Sequence, residues 1–198
     1  DGHAIEGGLA GLNPHETLIV LASKSFTTAE TLQNGQRARE WLIAAGITQP
    51  SAHFAAITAH PSRASDWGVP PDHVFRLWDW VGGRFSIWSA VSLTTALAVG
   101  SDVLAGMQAG AAAMDEHFIK AAPGVNAPVR MALAGVVNRS VLGHGSLNIA
   151  PYDSRMANLV PYIQQLEMES LGKSVDLAGR PVGVPTGPAV WGMPGTDA

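Results

Sequence analysis

The feature that most constrains the fold is the run Thr17-Leu18-Ile19-Val20-Leu21-Ala22, which passes without a break into Ser23-Lys24-Ser25-Phe26-Thr27-Thr28. A short apolar run without polar alternation does not suit a strand with one wet face, so it predicts a strand covered on both. After the polar hexapeptide, Ala29, Leu32, Gly35, Ala38, Leu42 and Ala45 recur at helical spacing as far as Gly46. Two further runs, His53 to Thr58 and His73 to Leu77, follow at crossover distance, the second just after Pro70-Pro71. Three short apolar runs separated by helical or turn segments predict an α/β fold with a parallel sheet and helices on its faces.

From Ser86 the character changes. Ser86 to Val99 reads as one apolar helix carrying Ile87, Trp88, Val91, Leu93 and Leu97, and Ser101 to Ala122 as another, split from it near Gly100-Ser101. The stretch from Ala105 to Ala113 is rich in Ala and Gly, which weakens helix preference but permits close packing, so this helix is expected against neighbours. Asn126 to Val141 and Ser154 to Ser170 read as helices, Leu147-Asn148-Ile149 and Pro188-Ala189-Val190-Trp191 as short strands. The expected boundary between two sub-regions lies between Gly100 and Gly124.

Composition narrows the functional classes. The chain has 198 residues, 46% hydrophobic and 14% charged, against a usual charged fraction of about 25%. So thin a charged surface predicts a large covered face, against another subunit or further chain. A net charge of -4 without a basic run argues against nucleic acid as a partner. The absence of cysteine excludes disulfides, thiol catalysis and Cys-based metal sites, and fits a reducing compartment. No segment has 18 uninterrupted apolar residues, and the start lacks a basic stretch followed by an apolar one. A soluble, cytoplasmic protein without membrane contact is the expectation.

Three places can carry chemistry. Ser23, Lys24, Ser25, Thr27 and Thr28 stand between a buried strand and a helix, where hydroxyls and the unpaired first-turn N–H groups can meet a small anion such as phosphate. Ordinary capping of the helix by one hydroxyl is the competing reading. The ordered G-x-x-x-x-G-K-[ST] pattern is absent, which argues against a nucleoside triphosphate. In Trp78-Asp79-Trp80-Val81-Gly82-Gly83-Arg84-Phe85-Ser86, paired glycines permit a tight turn and close ligand approach, and the guanidinium can support negative oxygens or pair with Asp79. Trp78 and Trp80 are expected in the core ahead of a role as ligand walls. Glu169 closes the last predicted helix beside Gly172; it suits proton removal next to a carbonyl, or is a solvated helix-end glutamate, as is Glu167. The seven histidines form no HExxH, and Asp115, Glu116 and His117 point in different directions on a helix, so structure outweighs metal binding there. Gly143-His144-Gly145-Ser146 is not a nucleophile elbow.

The stretches Ala22 to Thr31, Trp78 to Ser86, Met114 to Phe118 and Gln164 to Ser170, continued by Pro188 to Gly192 and Pro194-Gly195-Thr196, together resemble the glucose-6-phosphate isomerases, also called phosphoglucose isomerases. The resemblance runs over essentially all 198 residues and matches about the middle third of a family member. It implies a SIS-type three-layer sandwich with a parallel sheet, covering most of a first sugar-phosphate-binding subdomain over residues 1–104. Residues 105–198 would be connecting helices and the incomplete beginning of a second SIS-like subdomain. It further implies that Ser23, Ser25 and Thr28, with the backbone of Lys24, bind the sugar phosphate; Ser25 stands where the family commonly has threonine. Gly83 and Arg84 would meet the sugar oxygens, Arg84 stabilising an enediolate, Gln165 would hold the ligand, and Glu169 would shuttle a proton between C2 and C1. No metal or organic cofactor is implied. The family's upstream Gly-Ser phosphate loop, ring-opening histidine and catalytic lysine would lie outside these residues. The implied parent is a homodimer whose sites use both subunits, and association with the N- and C-terminal portions is the further partner expected.

Overall fold

The computed structural model describes residues 2–195, which form two compact units divided between Gln108 and Ala109. In the first, helix α1 (Gly2–Leu9) precedes strand β1 (Ile19–Ala22), helix α2 (Ala29–Ala44), strand β2 (Phe54–Thr58), helix α3 (Pro61–Trp67) and strand β3 (Val74–Arg76). The strands lie side by side in the order β1-β2-β3, all parallel, with Ile19 opposite Phe54 and Ala56 opposite Val74. Each predicted apolar run therefore became a strand, trimmed by one or two residues at an end.

Successive strand side chains point to opposite faces, and the two faces of this sheet are covered differently. Leu21, Phe54 and Ala56 pack with Ala38 and Leu42 of α2, Ala64 of α3, Phe26 and Val69. Val20 and Ile57 face the other way, onto Leu77, Val81, Ala90, Val91 and Leu93. All five residues of β2 are buried, which is why its sequence shows no alternation. Helix α2 approaches β1 through Gly35, where a Cβ would come within 3.0 Å of the Leu21 side chain and 3.2 Å of the Trp67 ring. The Arg39 guanidinium carbon lies over the Trp67 ring, 3.8 Å from its centroid, and Nη2 donates to the Trp67 carbonyl at 2.9 Å.

The expected helix from Ser86 to Val99 does not form as one piece. Gly83–Trp88 and Ala90–Ser92 are two 3₁₀ turns, and only Leu93–Val99 is helix α4. The Ser89 hydroxyl causes the interruption: it donates to the Ser86 carbonyl and accepts from the Val91 N–H, competing with helical bonding. Helix α4 does stop at Gly100, at φ 91°, and α5 (Ser101–Lys120) follows directly. The division between the units falls inside α5. None of its residues is buried, and a Cβ at Gly106 or Gly110 would meet nothing within 4 Å, so the expected close packing along the Ala/Gly stretch is not made among the described residues.

In the second unit, helix α6 (Ala127–Val136) runs into a wider π turn, Val137–Val141. Its start is built twice over: the Asn126 side chain accepts from the Val129 N–H, and His117 Nε2 accepts from the Ala127 N–H. Strand β4 (Ser146–Asn148) pairs in parallel with β5 (Ala189–Trp191). The helix expected over Ser154 to Ser170 is instead a 3₁₀ turn at Ser154–Met156, helix α7 (Leu159–Ile163), a π turn at Gln164–Met168 and helix α8 (Glu169–Leu171). Thr196, the last residue of the Pro194-Gly195-Thr196 stretch, lies outside the described residues.

Two measurements check this arrangement. Leu42 is fully buried against the sheet, so Leu42→Ala should lower unfolding stability by about 2–5 kcal/mol in urea denaturation; a loss under about 1 kcal/mol would contradict the packing. In the loop after α8, the Asp176 carboxylate accepts from the Arg180 N–H and Nε and from the Ala178 N–H, and these bonds, those of Arg180 foremost, hold its pKa below the usual carboxylate value. The bonds favour the charged form, so loop stabilisation is complete above the unfolded value and is lost as pH falls through the depressed folded value. NMR titration should place the Asp176 midpoint below about 3.9, and Asp176→Asn should remove the acid-dependent loop change.

Candidate functional site

Because the three strands of the first unit are parallel, the chain leaves all of them at one edge of the sheet, bringing together residues 23–28, 58–60 and 77–84. Pairing continues past the strand ends: the Ser23 N–H donates to the Ile57 carbonyl at 3.0 Å, the Ala59 N–H to Lys24 at 3.0 Å and the Leu77 N–H to Thr58 at 2.8 Å. Thr58, fully buried, donates its hydroxyl to the Lys24 carbonyl at 3.1 Å. Backbone groups at this edge are thus held by the sheet itself.

The loop Ser23 to Thr28 is built on hydroxyls. Ser23 is buried; its Oγ lies 2.9 Å from Thr28 Oγ1 and accepts from the Phe26 N–H at 3.1 Å. Ser25 Oγ accepts from Thr27 Oγ1 at 2.8 Å and from the Thr27 N–H at 3.3 Å. Thr28 occupies the N-cap position of α2 without capping it, so its hydroxyl is engaged with Ser23 instead. The simple capping role is therefore not the one Thr28 plays. A hydroxyl rotates freely between donating and accepting, so this cluster can turn its donors towards an anion at the helix start.

Phe26 went unnoticed in the sequence. Its φ of 51° is the only positive value at a non-glycine position among the described residues, and its ring is buried with Leu21, Phe54 and Leu42. A left-handed residue of this size persists only where its surroundings hold it, and here the core grips the ring while the backbone turns the loop. The one apolar residue among five polar ones was the available signal. Two cations were also missed as structural ties. Lys24 Nζ donates to the carbonyls of Asp79 at 2.6 Å and Val81 at 3.1 Å, and Arg63 Nη1 donates to the Ser25 carbonyl at 2.7 Å.

At the third strand end, Val81 is buried while Gly82 and Gly83 are exposed and Arg84 is half-buried at the start of a 3₁₀ turn. A Cβ on Gly83 would meet nothing within 4 Å, so packing within the chain does not require glycine there. The expectation of two core tryptophans fails. Trp78 is 48% exposed with the Arg76 guanidinium stacked on it, and Trp80 is 81% exposed. The turn from Trp78 to Val81 buries Val81 and leaves both rings outside the core.

In the second unit, the Gln164–Met168 π turn separates the two neighbouring glutamines. Gln164 Nε2 donates to the Val190 carbonyl at 2.9 Å, and the Val190 N–H donates to Met168 Sδ at 3.4 Å, fastening the turn to β5. Gln165 is exposed, Glu167 half-buried, and Glu169 exposed at the first position of α8. Widened turns of this type are frequent at functional positions. A Cβ at Gly172 would collide with the Met168 carbonyl oxygen, so glycine is needed for the chain to leave α8 as it does.

Among the described residues no group of three or more His, Asp or Glu is arranged to hold a metal, and no helix is long and apolar enough to cross a membrane. A cavity of about 490 Å³ lies between α1 and α2, lined by Leu9, Leu12, Arg37 and Trp41 among others; none of the loop residues at the sheet edge reaches it.

Comparison with known proteins adds a family. The model for phosphoglucose isomerase matches residues 1–198. Glucose-6-phosphate isomerase of Bordetella avium is 59% identical over 197 residues, spanning 100% of this chain and 38% of that protein. The enzyme of the same name from Brucella ovis is 50% identical over 198 residues, spanning 36% of its length. Among solved structures, a glucose-6-phosphate isomerase from Chlamydia trachomatis superimposes with a TM-score of 0.89 at 32% identity, covering 100% of this chain and 38% of that one. A hypothetical protein from Thermus thermophilus does so with a TM-score of 0.78 at 29% identity, with 46% of its chain covered.

Proposed function

The chain belongs to the phosphoglucose isomerase family, and from that premise we propose that it is part of an aldose–ketose isomerase that interconverts glucose 6-phosphate and fructose 6-phosphate through a cis-enediol. It spans about 38% of the length of the curated relatives it matches, so the activity is assigned to the polypeptide that carries these residues. The observation that supports this reading best is the hydroxyl loop at the carboxyl edge of the sheet, seated before a 16-residue helix whose N-terminus favours an anion.

In this reading Ser23, Ser25 and Thr28 donate to the phosphate oxygens together with the Lys24 N–H. Holding a remote, unreacting group fixes the sugar relative to the chemistry and supplies binding energy to the transition state. Gly83, which the fold does not itself require, leaves room for the sugar to approach the backbone, and Arg84 supports the negative charge that develops on the enediolate oxygens. Gln165 helps to hold the ligand. Glu169 takes the proton from C2 of the open-chain aldose, and the C–H electron pair becomes the C1–C2 double bond. The carbonyl π pair moves to the C1 oxygen, which takes a proton from solvent, and the C2 hydroxyl gives one back to solvent in the second half of the reaction. The same carboxyl returns the proton to C1 as the C2 carbonyl forms.

The residue partition we propose is a first sugar-phosphate-binding SIS-type subdomain over 1–104 and connecting helices with part of a second over 105–198. A homodimeric, cytoplasmic parent enzyme, with the flanking N- and C-terminal portions associated, completes the assignment. The short span relative to the curated relatives favours a second reading, in which the chain alone binds sugar phosphate without turnover or serves only as an assembly fragment.

Intact mass and the conversion of fructose 6-phosphate to glucose 6-phosphate test both. In the polypeptide carrying this sequence, Glu169→Gln should lower kcat by about 10²–10⁴-fold and slow exchange of the C2 proton of glucose 6-phosphate with solvent by a similar factor. Ser23→Ala should raise KM for fructose 6-phosphate, by roughly tenfold for one lost hydrogen bond to a charged group. A kcat within about tenfold of the parent in Glu169→Gln overturns the assignment of the base. Binding without C2 exchange, in material of 20.6 kDa throughout, leaves the second reading.

A further inference from the structure

The functional reading uses only the backbone of Lys24, and its side chain goes elsewhere. The ammonium crosses from the loop after β1 to the turn after β3, 55 and 57 residues further along the chain, and donates to the carbonyls of Asp79 and Val81. That turn is closed by the Val81 N–H on the Trp78 carbonyl at 3.0 Å, and Val81 is anchored in the core with Ile57 and Leu77. The next residues are Gly82, Gly83 and Arg84. Gly82 and Gly83 are exposed, and a Cβ at Gly83 would touch nothing. Downstream, the Gly82 carbonyl accepts from the Phe85 N–H at 3.0 Å and the Gly83 carbonyl from the Ser86 hydroxyl at 2.7 Å, which holds the glycines to their own turn, and the lysine tie just upstream joins that turn to the hydroxyl loop. A lysine has three donors and no acceptor. With two of them committed to carbonyls, the ammonium is turned to the backbone of the neighbouring turn, while the hydroxyls of Ser23, Ser25 and Thr28 remain beside the helix start.

We propose that Lys24 is a positioning residue whose ammonium straps the Trp78–Val81 turn to the hydroxyl loop and thereby sets the spacing between the phosphate of a sugar phosphate and the sugar oxygens met at Gly83 and Arg84. The inference rests on the ligand assignment made for those residues. The strap itself can be read without any ligand, because it restrains the turn in the free chain.

The test compares the polypeptide carrying this sequence with its Lys24→Met and Lys24→Arg variants by amide hydrogen exchange and by titration with fructose 6-phosphate and with inorganic phosphate. In Lys24→Met, exchange at Val81 and Phe85 should rise about tenfold or more, while Leu42 and Ile57 in the core keep their protection. Affinity for fructose 6-phosphate should fall about tenfold, at least fivefold more than that for inorganic phosphate, which does not span the two segments. Lys24→Arg, which keeps charged donors, should restore both readouts to within about threefold of the parent. Unchanged exchange at Val81 and Phe85 overturns the strap, and equal losses for the two ligands place the ammonium on the phosphate itself and overturn it too. If the parent chain binds neither ligand, the phosphate assignment fails separately while the exchange data still decide the strap. Should Lys24→Met also lose protection at Leu42 and Ile57, the same comparison is read on Lys24→Gln against Lys24→Arg.

Discussion

Strand β2 has water on neither face and a parallel partner on each side, and the first unit is arranged around that condition. Burial on both faces requires a covering layer on each, and parallel pairing requires a crossover between successive strands. Helices α2 and α3 meet both needs on one face, and the turns leading to α4 cover the other. The same parallelism makes every strand end at one edge, so the loops that carry hydroxyls, lysine and paired glycines are neighbours as a consequence of the core.

The legible parts of the sequence were those in which burial imposes a pattern. The three strands, α2 and the stop at Gly100 follow from apolar runs, helical spacing and a glycine at a helix end. The segment after Ser86 was misread because its apolar residues fit a helical period, while the decisive event is a single hydroxyl, that of Ser89, bonding to nearby backbone. Trp78 and Trp80 were misjudged because hydrophobicity says how favourable burial is and nothing about whether the backbone points the ring inward. At the candidate site, the residue types in 23–28 stand out in the sequence as a cluster of hydrogen-bond donors at a strand-to-helix junction. The long-range bonds of Lys24 and Arg63 do not, because a cation bound to a carbonyl leaves no mark on periodicity.

The second unit has less of its sequence explained by its own packing. Met107 is in the first unit, but Met114, Phe118, Ile119, Met131, Val136 and Val141 all belong to helices or turns on which large apolar side chains remain exposed. Its buried apolar residues are few, Val160 and Val190 among them, and polar bonds do much of the fastening, through Gln164, Asn126 and His117. The low charge content fits this pattern, since residues that would stay dry in a longer polypeptide need no charge.

Phe26 joins two selective demands that are usually met at different positions. Its ring fills part of the core, so a small replacement leaves a void, and its backbone is left-handed, so a β-branched replacement is strained. Glycine satisfies the backbone and empties the core; leucine does the reverse only in part. The hydroxyl loop therefore cannot be altered at Phe26 independently of the hydrophobic interior, whereas the neighbouring Ser25 and Thr27, outside that core, carry no such double demand.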